Sequence, residues 1–170
     1  MNLAPNPQLH GQIVQLSNGM AGVKQTLAAM RHLVEQGKKD LNIRQSATQI
    51  VFLTPEKNQF AEAEAIFNFV RDSIRYVRDI NGVETLQSPV ITLQTQMGDC
   101  DDQTTLLASM LEAVGYATRF VVAGYIEPNH YEHVYMQAYL NNQWVDMDAT
   151  EHQAMGWSPP YPVALAFEAV

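Results

Sequence analysis

The chain has 170 residues, 46% of them hydrophobic, and its 18 acidic against 10 basic side chains give a formal net charge of −8. That length and apolar content suit one domain with a packed core, and the acidic balance excludes a phosphate-backbone partner, so no nucleic acid is expected. No apolar run approaches the ~20 residues needed to span a bilayer, so no membrane partner is expected, and a single cysteine, Cys100, excludes an internal disulfide.

Residues 1–16 carry Pro5, Pro7 and Gly11 and read as an irregular arm. Met1–Pro5 lacks the basic-then-apolar order of a secretory signal, so the expected setting is cytoplasmic. Ser17 or Asn18 caps a helix over 19–36, in which Val23, Leu27, Met30 and Val34 share one face and Gly37 is the stop. Residues 42–52 read as a second helix through Ile43, Ala47, Ile50 and Val51, ended before Pro55. A longer helix follows over 58–77, with Phe60, Ala63, Phe67, Val70, Ile74 and Val77 as its stripe. Asp79 to Pro89 is a loop with an Asn81-Gly82 turn, Asn81 to Pro89 is a candidate cleft wall, and Pro89 opens a helical turn that reaches Leu93.

The helix over 100–114 is the central one. Leu106, Leu107, Met110, Leu111 and Val114 give it a broad apolar face, Asp99 caps it, Asp101 and Asp102 suit its first turn, and Gly115 ends it. The period then changes from 3.6 to 2, giving strands over 117–123, 133–140 and 143–148, with Asn141-Asn142 as a two-residue hairpin turn. The tail, with Pro159, Pro160 and Pro162, reads as surface loop. Helices followed by an antiparallel meander make an α+β domain. Its parts are the arm (1–16), a helical part (19–77), a candidate catalytic core (98–150) and the tail (151–170).

A thiol, an imidazole and a carboxylate occur in the order Cys100, His133, Asp148, which is the parts list of thiol-based acyl transfer. A helix start favours the thiolate through its unpaired amides, and an adjacent imidazolium favours it further. Three carboxylates oppose this, so Asp99, Asp101 and Asp102 must point away from the sulfur. The hairpin turn pairs residues whose numbers sum to 283, which places Asp148 diagonally beside His133 on one face, within side-chain reach. His133 is then general base and acid, and Asp148 holds its other nitrogen. The Cys100 amide is one candidate oxyanion donor; Gln94, Gln96 and Tyr76 are side-chain candidates. Trp144, Trp157 and Asp99 are candidate cleft residues. Two metal readings stand beside this one: zinc on Cys100, His130 and His133, and calcium on Asp99, Asp101 and Asp102. No cofactor is expected.

Gly98-Asp99-Cys100-Asp101-Asp102, the run from Leu106 to Arg119, His133-Val134-Tyr135, and Trp144 through Asp148 to Thr150 together resemble the transglutaminase-like superfamily. In wording the chain is most similar to bacterial transglutaminase-like cysteine peptidases and phage-encoded domains of that type, and Val83–Pro89 is also similar to the phage group. The resemblance covers about Tyr76 to Thr150. It implies a papain-like α+β fold with Cys100, His133 and Asp148 as a triad, and a protein or peptide substrate. A phage-encoded chain would be virion-associated. Two positions depart from the pattern: Ala149 stands where proline is usual, and Tyr135 where tryptophan is usual. The reading is a cysteine peptidase or amidase acting through an acyl-enzyme. The alternatives are transfer to an amine and a non-catalytic structural or binding module that keeps the fold. The sequence does not set the oligomeric state.

Overall fold

The computed structural model describes residues 19–78, 85–127, 130–160, 162 and 164–169, the last six by backbone alone. The arm, with Ser17 and Asn18, and residues 81–84 of the expected cleft wall lie outside the described residues; the first helix has Gly19 as its N-cap, without a side-chain bond, in place of Ser17 or Asn18. Four helices come first: α1 (Met20–Gly37), α2 (Leu41–Phe52), α3 (Gln59–Ser73) and α4 (Pro89–Thr95). Two two-residue strands flank α4, β1 (Arg75–Tyr76) and β2 (Met97–Gly98), and pair in parallel. Helix α5 (Cys100–Ala113) leads into β3 (Thr118–Gly124), β4 (His133–Leu140), β5 (Gln143–Met147) and β6 (Ala164–Ala169). No described helix is long and apolar enough to cross a membrane.

Helix α5 is the axis of the fold. Helices α1 to α4 pack on it, and β3 and β4 cover its other side. Every residue from Asp102 to Leu111 is buried, which fits a helix surrounded on all sides. Leu106, Leu107, Met110 and Leu111 meet Phe67 of α3, Met30 of α1 and Phe120 and Met136 of the sheet in one core. Asp99 closes a capping box with Asp102, so the start of α5 is fixed to the residue.

The sheet runs β5-β4-β3-β6, with every neighbour antiparallel. Asn141 and Asn142 both have positive φ (46° and 66°), as a primed two-residue turn requires, and Leu140 pairs with Gln143 in the expected register. Val134, Met136, Ala138 and Leu140 face the core, while His133, Gln137 and Tyr139 take the other face.

Three expectations need correction. Helix α3 stops at Ser73, not 77, because Arg75 and Tyr76 leave it to pair with Met97 and Gly98; Val77 is accordingly exposed. The tail is not all loop: Ala164–Ala169 adds a fourth strand beside β3. Gly37 is not a stop outside the helix but its last residue. A Cβ there would lie 2.6 Å from Ser109 Oγ and 2.8 Å from Pro89 Cγ, so the glycine lets α1 approach α5 and α4.

Candidate functional site

The hairpin and the start of α5 meet at Val134. Strand β5 pairs with β4 only as far as Met147 opposite Met136, and the chain then turns away at Asp148. The Val134 main chain is thereby left to α5: Thr104 Oγ1 donates to its carbonyl at 3.2 Å, and its N–H is directed at the Cys100 sulfur. The sulfur thus sits one residue from His133.

His133 Nε2 lies 2.7 Å from Asp148 Oδ2. A carboxylate accepts, so this nitrogen carries the proton and the neutral ring keeps its lone pair on Nδ1. Asp148 has its side chain wholly inside, and its second oxygen accepts from Thr150 N–H (3.1 Å) and Thr150 Oγ1 (2.6 Å). Thr150 was not foreseen as a site residue. Its signal is sequential: a hydroxyl two places after a buried aspartate completes a local turn onto the carboxylate. The imidazole is about four-fifths covered and stacks on Tyr135, ring centres 6.0 Å apart.

The three aspartates at the helix start do three different things. Asp99 accepts the Asp101 and Asp102 amides at 3.1 and 3.3 Å, so it is a cap. Asp102 is buried and takes Gln87 twice, from N–H and from Nε2, each at 2.7 Å. Asp101 does not point away as the thiolate reading requires: Cys100 Sγ donates to its Oδ1 at 3.5 Å. Burial pushes the Cys100 thiol well above its ordinary value, the Asp101 and Asp99 carboxylates push it further, and the Val134 N–H pulls it back. Asp99, Asp101 and Asp102 do not converge on a common point, and His130 turns to Glu132 at 2.9 Å, away from any set with Cys100 and His133. No three metal-ligating side chains gather among the described residues.

Gly98 is constrained from two sides. A Cβ there would meet Asp102 Cβ at 2.6 Å and Asp102 Oδ2 at 3.0 Å, and the Gly98 carbonyl accepts from Val77 N–H (3.0 Å) and Gln103 Nε2 (3.3 Å). Gln87 and Gln103 thereby hold the turn before the cysteine, roles that no motif announced.

Among the oxyanion candidates, Tyr76 pairs with Gly98 and lies near the sulfur. Burial, Cys100, Asp99 and Asp101 all raise its phenol, with Arg78 acting the other way. Gln94 and Gln96 are exposed at the end of α4. The Cys100 amide is not one of those that the Asp99 carboxylate caps. Trp144 stands four residues before Asp148, about 13 Å along the strand. There it packs under the Arg119 guanidinium (4.3 Å) and against Tyr139 (5.1 Å), away from the sulfur. Trp157 is half-buried in the tail segment, where its N–H closes a turn onto Ala154.

A family model described as the transglutaminase-like superfamily matches residues 44–149, more than half of the chain. The chain belongs to this superfamily. Solved structures similar to this transglutaminase-like domain include a candidate cysteine protease from Cytophaga hutchinsonii, at 17% identity and TM-score 0.56, covering 74% of this chain and 42% of that one. A candidate protease from Parabacteroides distasonis follows at 13% and 0.58, covering 76% and 27%. Calcium-bound LapG of Legionella pneumophila is similar at 19% and 0.56, covering 84% and 87%. At such identities the likeness is one of fold, and the domain spans less than half the length of the first two. No curated protein matches it in sequence.

Proposed function

We propose that this transglutaminase-like domain is a thiol hydrolase that cleaves an amide bond of a protein or peptide, with Cys100 as nucleophile, His133 as base and Asp148 as the group that fixes the ring. The observation that carries this is the 2.7 Å bond from His133 Nε2 to Asp148 Oδ2, made one residue from the backbone N–H that meets the sulfur. With Nε2 held, Nδ1 takes the thiol proton. The sulfur attacks the carbonyl carbon, and the amine leaves with that proton. Water then opens the thioester, with Nδ1 as base. The Cys100 amide and the Tyr76 hydroxyl, whose ionisation is disfavoured mainly by burial, supply the donors for the developing oxyanion.

One observation favours a second reading, a non-catalytic module: the sulfur is bonded to Asp101 rather than to the ring. Among the described residues no convergent donor set answers to the calcium of the LapG structure, and no step is routed through a metal. Acylation by p-nitrophenyl acetate separates the two readings. The hydrolase forms a thioester on Cys100, seen by mass, and His133→Ala slows its formation by about 10² or more. Equal acylation of wild type and His133→Ala, within about threefold, selects the module.

A further inference from the structure

Strand β1 is paired on one side only. Arg75 N–H donates to the Gln96 carbonyl at 2.9 Å and Val77 N–H to the Gly98 carbonyl at 3.0 Å. In a parallel ladder the residue between two such donors directs its own N–H and C=O to the opposite edge. That residue is Tyr76, and among the described residues neither group meets a partner. The edge faces solvent: Tyr76 is 47% exposed, Val77 42% and, on the neighbouring strand, Met97 37%. Large apolar side chains exposed together on so small a sheet, beside an unpaired backbone, mark a contact surface. The same segment carries charge. Arg75 and Arg78 are exposed at its two ends, Arg75 resting on the Met97 sulfur at 2.9 Å, and neither has an ion pair among the described residues. Residues 75–78 thus hold two positive charges and no negative one, in a chain of net charge −8. The Tyr76 phenol lies near the Cys100 sulfur, so this edge borders the thiol.

We propose that the free edge of β1 takes the substrate peptide as an added strand: the peptide backbone pairs with Tyr76 N–H and C=O, and its side chains read acid, apolar, apolar, acid opposite Arg75, Tyr76, Val77 and Arg78. The inference names the substrate class of the proposed hydrolase and rests on that reading for the role of the thiol. An extended segment can offer Tyr76 a donor and an acceptor together, whereas a helix has spent both on itself. The peptide lies one strand spacing, about 4.8 Å, from β1. Directly opposed residues share a face of the sheet. The acid across from Arg78 therefore meets that guanidinium on the Tyr76 face, and the acid across from Arg75 meets the other guanidinium on the opposite face. The apolar pair covers Tyr76 and Val77. This pattern reads the same from either end, so parallel and antiparallel addition make the same contacts.

The test uses the full chain with Cys100→Ala, so that nothing is cleaved, isotope-labelled for NMR. The probes are acetyl-Thr-Glu-Val-Val-Glu-Thr-amide, its Lys-Val-Val-Lys counterpart, and the first peptide with both valine nitrogens methylated. The Tyr76 N–H is expected to exchange with solvent as an open amide in the free chain and to be protected by the acidic peptide. That peptide binds about tenfold or more tightly than the basic one in about 10 mM salt, a ratio that falls several-fold in about 500 mM salt. Methylation weakens binding at least about fivefold. Tyr76→Pro, which deletes an N–H that β2 does not use, weakens it by a similar factor, while Tyr76→Phe binds within about twofold of Tyr76.

A Tyr76 amide already protected in the free chain overturns the proposal, and so does equal binding of the acidic and basic peptides or of the methylated one. These readouts stand even if Tyr76→Pro does not fold. Failure of the hydrolase reading looks different: the acidic peptide then still protects Tyr76, while p-nitrophenyl acetate acylates wild type no faster than His133→Ala.

Discussion

Replacing Gly37 by alanine sets two physical effects against each other. Helix propensity favours alanine in a helix by up to ~1 kcal/mol, less at a terminal residue. Packing opposes it. The new methyl would sit 2.6 Å from Ser109 Oγ, 3.0 Å from Ser109 Cβ and 2.8 Å from Pro89 Cγ. None of these can withdraw easily. Ser109 is fully buried and donates to Thr105 O at 2.7 Å, and Pro89 is a rigid ring at the start of α4. Overpacking of this kind costs about 1–3 kcal/mol, so the net loss is about 1–2 kcal/mol. In a chain of this size that lowers the melting temperature by roughly 2–8 °C. Circular dichroism at 222 nm on wild type and Gly37→Ala measures it. Ser109→Ala in the same chain removes the nearest atom and recovers part of the loss, a coupling above about 0.5 kcal/mol. A Gly37→Ala protein that melts at or above wild type would refute the close approach of α1 to α5.

Asp102→Ala takes the carboxylate from two Gln87 donors at a part-buried position, and a loss of about 2–4 kcal/mol is expected from urea unfolding; a loss under 1 kcal/mol contradicts the anchoring. Thr150→Val removes one of the donors that steady Asp148, so acylation of Cys100 should slow about three- to tenfold with the fold intact; an unchanged rate removes Thr150 from the site. Alkaline pH should destabilise the protein. Burial raises the Cys100 thiol in the folded chain, so its contribution is complete below the unfolded value of about 8.5 and is lost as pH rises beyond it. Tyr135, pushed up to about 12 mainly by burial, adds the same trend from about pH 10. Melting curves from pH 8 to 10.5 should fall less steeply for Cys100→Ala than for wild type, and parallel curves would show that the thiol is not buried as described.

The parts of the fold governed by local rules were readable in the sequence. Asp99 before an apolar run marked the start of α5, and Asn141-Asn142 between alternating strands set the hairpin and its register. What escaped depends on partners distant in the chain. Arg75 and Tyr76 continue the helical stripe of α3 by composition, and only the pairing with Met97 and Gly98 pulls them into a strand. Ala164–Ala169 is rich in alanine, which carries little strand preference, and three prolines precede it; the edge of β3 makes it a strand. At the site, the diagonal from His133 to Asp148 follows from register. The direction of Asp101 does not, because a first-turn side chain can face solvent, amide or sulfur with equal ease. Gln87 was hidden for a similar reason, since its partner is 15 residues away.

Gly98 and Asp102 also restrict how this chain can evolve. A larger residue at 98 collides with the carboxylate at 102, so it becomes tolerable only once 102 has shrunk. Shrinking 102 first abandons the amide and the side chain of Gln87. Either order passes through a weakened intermediate. Lineages descending from this sequence should therefore drift around the pair, retaining a glycine two places before the thiol even where selection on the chemistry has relaxed.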